Sequence, residues 1–95
     1  MKLKELGWRE KALGGGYIVT AIAGYGSEDV AAFVVRHPLP EGGGCEGLVP
    51  IDPKYARGKQ PWVVESWDQL TISPSIVCTE HDVHGHIRNG LWVDA

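Results

Sequence analysis

No apolar stretch in this sequence runs beyond a few residues, far short of the roughly 20 that a membrane-spanning helix needs. No membrane partner is therefore expected. Met1-Lys2-Leu3-Lys4-Glu5 carries its lysines ahead of no apolar core, so a signal peptide is not expected either, and the cytoplasm is the expected compartment. Charge of one sign is also missing. Nine Lys and Arg stand against twelve Asp and Glu, a formal net charge of −3, and nothing there calls for a nucleic acid or another polyanion. The glycine triplets at 14–16 and 42–44 lack the Lys-Ser/Thr that completes a phosphate loop, which removes the usual sequence signal for nucleotide binding. Cysteine is scarce as well. Cys45 and Cys78 are the only two, too few for a disulfide framework, and in a reducing compartment a bond between them is not expected.

What is present is turn chemistry between short apolar segments. Thirteen glycines and six prolines occur in 95 residues of which 43% are apolar, a composition for one small, turn-rich globular domain spanning 1–95. Tyr17 to Ala23 and Val30 to Arg36 read as a β-hairpin around Gly24 to Asp29, being β-branched and aromatic with turn residues between. The first thirteen residues fit a short helix or a lead-in strand equally well. From His37 to Pro61 prolines and glycines dominate, and the reading is a long connection, a feature that usually marks function or a metal-tied loop. Trp62 to Trp67, Leu70 to Ile72 and Ile76 to Cys78 read as strands. Val83 to Arg88 and Leu91 to Val93 flank Asn89-Gly90, a strong signal for a two-residue type I′ turn. The expected fold is mainly β, a single domain of about six short antiparallel strands with a long Gly/Pro-rich loop, pinned by a metal.

Two groups of residues carry chemistry. Cys78 and His81 are separated by two residues, the spacing of half a structural zinc site, because one tight turn brings both ligands to one ion. His37 and Cys45 bracket the glycine-rich segment Pro38 to Gly44 and supply a candidate second half. The plainer alternative is a buried strand cysteine with solvated turn histidines. The second group is Ser75 with His84 and His86. A nucleophilic serine needs a base in hydrogen-bond reach, and the base needs an orienting acceptor. Glu65 is the candidate acceptor, and otherwise a solvent-facing strand carboxylate. Alternation puts His84, His86 and Arg88 on one face. A two-residue loop at His81-Asp82 would set Ser75 opposite Arg88 and diagonal to His86, whereas a three-residue loop would set Cys78 opposite His84. The sequence leaves that register open. Trp8, Trp62, Trp67 and Trp92 are most simply core and rim packing.

These residues together resemble a known signature. Trp67-x3-Thr71-Ile72-Ser73-Pro74-Ser75-Ile76, followed by Cys78-x2-His81-x2-His84-Gly85-x-Ile87-Arg88-Asn89-Gly90-x-Trp92, is similar to the core pattern of the BubE-like family of phage and bacterial proteins. The likeness covers residues 62–93 and weakens before them. It implies a serine peptidase acting on an extended ubiquitin-like protein tail laid along an open strand edge. In that reading Ser75 is the nucleophile, His84 the general base and Glu65 the orienter, while His37, Cys45, Cys78 and His81 hold a structural zinc. The His-Gly position of the signature selects His84 over His86. Two departures weigh on the zinc. His37 and His81 stand where the family commonly has thiolates, and the stretch before Cys45 is longer than its compact Cys-Pro-x-Cys turn. The alternative implied by the same scaffold is a non-catalytic phage binding or accessory protein, a host-defence antagonist or a virion component. The oligomeric state stays open.

Overall fold

A computed structural model describes all residues, 1–95. Two four-stranded antiparallel sheets make the molecule. A short helix α1 (Leu3–Leu6) precedes β1 (Glu10–Gly14), β2 (Tyr17–Ala23), β3 (Val30–Pro38) and β4 (Gly44–Pro50), which pair in chain order as the first sheet. After a 3-10 turn at Pro53–Tyr55, β5 (Val63–Ser66), β6 (Thr71–Cys78), β7 (Val83–Arg88) and β8 (Leu91–Asp94) pair in chain order as the second. No helix is long and apolar enough to cross a membrane.

One apolar cluster joins the sheets. Leu13, Val19, Phe33, Val35 and Val49 come from the first, while Leu70, Ile72 and Ile87 come from the second and from the turn that leads into β6. Period-2 alternation selects these positions. On β3 the inward residues Phe33, Val35 and His37 fall two apart, so the register that buries Phe33 also buries His37, which is only 5% exposed. Truncating a fully buried aromatic such as Phe33 to alanine removes about 3–5 kcal/mol in comparable cores. Two glycine positions are dictated by geometry. Asn89 and Gly90 both have positive φ, 51° and 75°, as the type I′ turn between β7 and β8 requires. A Cβ on Gly85 would fall 2.5 Å from the Trp92 ring and from the Val93 carbonyl, so only glycine lets Trp92 lie against β7.

Mainly β architecture in one small domain agrees with the sequence reading; the strand count does not. Eight strands form instead of about six. The lead-in contains both a helix and a strand. The stretch read as a long connection contains β4, whose seven residues pair with β3 from Ala32↔Pro50 to Pro38↔Gly44. Its prolines do not obstruct that ladder because they stand at strand ends or in the turn: Pro38 closes β3, Pro50 closes β4 and Pro40 lies between them. Thr71-Ile72 and Ile76 to Cys78 belong to one continuous strand, β6 running from Thr71 to Cys78, and Leu70 lies in the turn before it.

Candidate metal centre and an adjacent serine–histidine pair

Four side chains converge at one end of the two sheets. His37 and Cys45 are directly opposed across the β3–β4 ladder, Cys78 is the last residue of β6, and His81 lies in the turn to β7. Each sheet thus brings a pair of potential ligands, and the four ligand atoms all lie within 4.8 Å of one another. The Cys45 and Cys78 sulfurs are 4.0 Å apart, and Cys78 Sγ is 3.5 Å from His81 Nδ1. A tetrahedral ion with the usual zinc bond lengths needs edges of about 3.8 Å between sulfurs and about 3.6 Å between sulfur and nitrogen. The two measured separations, 4.0 and 3.5 Å, come close to those edges. Both cysteines are free thiols, and the sulfurs stand far beyond the roughly 2.05 Å of a disulfide.

His37 shows the same fit from another side. Its Nδ1 donates to the Pro38 carbonyl at 3.2 Å, which leaves Nε2 with the lone pair. Nε2 is buried and has no hydrogen-bond partner. A buried polar atom of that kind costs about 1–3 kcal/mol unless something accepts it, and a metal ion would. The carbonyl on Nδ1 is the outer contact that fixes the ring of a metal-ligating histidine. The histidines also act on the thiols. When Nε2 carries the proton instead, it faces Cys78 Sγ, and hydrogen bonding from His37 and then His81 favours the thiolate and lowers its pKa to about 6. Burial first, and the neighbouring Cys78 sulfur next, push the Cys45 thiol up. A single deprotonated sulfur among imidazoles is the start of a cation site, and an ion would draw the second proton off as well.

The serine–histidine pair lies on the outer face of the second sheet. His84 pairs with Val77 across β6–β7, Cys78 with Val83, and Ile76 with Gly85, so the connecting loop has four residues, Thr79 to Asp82, longer than both alternatives read from sequence. Between Ile72 and Ile76 the ladder slips. Three residues, Ser73 to Ser75, there oppose His86 alone, and the Ser73–Pro74 peptide in that step is cis. Alternation from Val77, the partner of His84, puts Ser75 on the side of His84. His84 Nε2 stands 2.9 Å from Ser75 Oγ, a hydrogen bond of normal length. The Ser75 carbonyl accepts from the Trp62 indole at 3.3 Å. His86 is a neighbour of His84, with ring centroids 6.4 Å apart, and Val93 is its cross-strand partner.

Glu65 does not join that pair. Val63 is opposite Ser73, and Glu65, two residues further along the same face, accepts from the Ser73 hydroxyl. Its carboxylate is thereby engaged one step away from His84.

One feature was outside the sequence reading. A cleft of about 220 Å³ opens beside the four-residue cluster, walled by Leu48 and Val49 of β4, Ile76 and Val77 of β6, and the indoles of Trp62 and Trp92. Tyr17 stacks on Trp92 at its floor, with centroids 4.5 Å apart and planes 10° from parallel. The signal lay in aromatic residues at strand ends, which alternation alone does not distinguish from core packing. Ser75 and His84 are not among the residues lining the cleft. Compared with protein-family models, with curated proteins and with solved structures, the chain matches none.

Proposed function

We propose that this chain is a small serine-type hydrolase carried on a zinc-pinned β scaffold. The observation that carries the reading is the His84 Nε2 to Ser75 Oγ hydrogen bond of 2.9 Å, on a face open to substrate. His84 takes the Ser75 proton as the hydroxyl oxygen attacks a carbonyl carbon, and returns it to the leaving group as the acyl–Ser75 ester forms. Water, deprotonated in turn by His84, then cleaves the ester and restores the serine. Oxyanion stabilisation falls to backbone amides near Ser75 other than that of Pro74, which has none. The resemblance of residues 62–93 to the BubE-like pattern is what supports a protein tail as the substrate and phage or bacterial cytoplasm as the setting.

Zinc is the proposed ion because two thiolates and two imidazoles suit it in softness and geometry, and because four protein ligands close the site against substrate. Its role is then structural. When bound it supplies a cross-link between the sheets, and the four ligands make a neutral centre.

A second reading, a non-catalytic binding protein on the same scaffold, is favoured by one observation. Glu65 is engaged by Ser73, so the acid–base–nucleophile relay is short of its third member. Labelling with a fluorophosphonate separates the readings. The hydrolase reading expects covalent modification of the native chain that Ser75→Ala abolishes. Folded, metal-loaded protein that resists the reagent would leave the binding reading standing.

A further inference from the structure

We infer that the open edge of β4 and the cleft behind it form a binding site for an extended peptide carrying an apolar side chain followed by a lysine or arginine. The inference does not rest on hydrolysis at Ser75. β4 is the last strand of the first sheet, so its outer side has no strand partner. The Trp62 amide bonds the Pro50 carbonyl at 2.9 Å, which marks the side of β4 that faces away from β3. Alternation turns the amides and carbonyls of Leu48 and Glu46 the same way. A Cβ built on Gly47 meets nothing within 4 Å, and Leu48 is 55% exposed. An added strand thus finds unpaired backbone at Glu46 and Leu48, bounded by the Trp62 backbone at the Pro50 end of the edge.

The cleft supplies selectivity. Its volume is about 220 Å³, below the roughly 300 Å³ at which pockets begin to hold whole small ligands, and suited to one apolar side chain. Trp62 and Trp92 offer rigid apolar walls. Glu46 and Glu80 are the acidic residues lining it, and neither takes part in an ion pair, since those of this chain are Lys2 and Lys4 with Glu28. Arg36, across the ladder from Glu46, lies over Gly44 instead. A metal held by two thiolates and two imidazoles adds no net charge, so the mouth is negative and a basic residue beside the apolar one completes it.

The test uses metal-loaded Ser75→Ala protein, so that turnover plays no part. The probe is a short, fluorescein-labelled, threonine-rich peptide with a single leucine followed by lysine, read by anisotropy and by quenching of the cleft tryptophans. Saturable binding is expected. It should weaken roughly tenfold or more when the lysine is replaced by glutamate, and similarly in Glu46→Lys protein. It should be lost in Leu48→Pro protein, where the outward amide is removed while the β3 pairing is spared. The same peptide N-methylated at leucine removes the complementary amide without altering the protein, and it too should fail to bind. Absence of saturable binding, equal binding of the lysine and glutamate peptides, or full binding of the N-methylated peptide would each overturn the inference. So would self-association through β4 that excludes the peptide, which would make a second copy the occupant.

Discussion

His37, Cys45, Cys78 and His81 are drawn from both sheets and meet where the sheets converge, whereas Ser75 and His84 come from adjacent strands of one sheet and meet in solvent. The difference lies in what each arrangement costs the fold. An exposed serine–histidine contact exchanges one hydrogen bond with water for another and contributes little net stability. A buried imidazole nitrogen with no partner, set against two sulfurs, is unfavourable until a cation fills the space among them. The first arrangement needs a strand register and little else. The second needs distant segments to agree, and its uncompensated polar atom points to a ligand. The four-residue cluster is therefore the firmer element of the candidate site, and the serine–histidine pair the more informative about chemistry.

The largest effect that would sharpen this contrast is metal removal. Structural zinc contributes folding free energy directly, so exhaustive chelation should lower the melting temperature by more than about 10 °C, as followed by circular dichroism. An unchanged melting curve after complete stripping would place the cluster among ordinary polar contacts. A smaller but still marked loss is expected for His37→Ala. It removes both a ligand and a buried ring, and a destabilisation of about 2–4 kcal/mol in urea unfolding fits comparable buried truncations. His84→Ala, on the exposed face, should stay within about 0.5 kcal/mol of the parent. Equal losses for the two would erase the distinction between the regions.

The two clusters were not equally legible in the sequence. Cys78-x2-His81 declared itself by spacing, and His37 with Cys45 by the glycine-rich turn between them; the β3–β4 hairpin then set those two face to face. β4 itself was hidden because Pro50 and the glycines of 42–47 outweigh Cys45, Leu48 and Val49 in any local count, while what makes it a strand is the unpaired edge of β3, a tertiary fact. Asn89-Gly90 gave its hairpin correctly because two positive φ values are a local demand. The β6–β7 register did not follow from local demand. A four-residue loop and the slip at Ser73 to Ser75 are set by how Ile72 and Ile87 reach the core together. Ser75 and His84 stand in hydrogen-bond reach, although neither simple register would have paired them in this way. Glu65 went to Ser73 because Val63 faces Ser73, a register that the residues of these two strands do not declare locally.

On the solvent side of the contrast the expected effects concern reactivity. Fluorophosphonate labelling of Ser75 should vanish in His84→Ala and remain largely intact in His86→Ala, both proteins keeping the parent circular dichroism. The reverse pattern would transfer the base to His86, and full labelling of both would remove the acyl-transfer mechanism. The smallest effect is assigned to Glu65→Gln. Because its carboxylate bonds Ser73, the labelling rate should change by less than roughly threefold. A loss on the scale of the His84 substitution would mean that Glu65 turns to His84 in the reactive form.

The most direct measurement is elemental analysis of the native chain purified without added metal, together with Cys78→Ser and Ser75→Ala. One zinc per chain is expected in the parent and in Ser75→Ala, with the ion lost from Cys78→Ser. Folded parent protein containing no transition metal, or a Cys78→Ser variant that keeps its full complement, would contradict the cross-sheet metal centre.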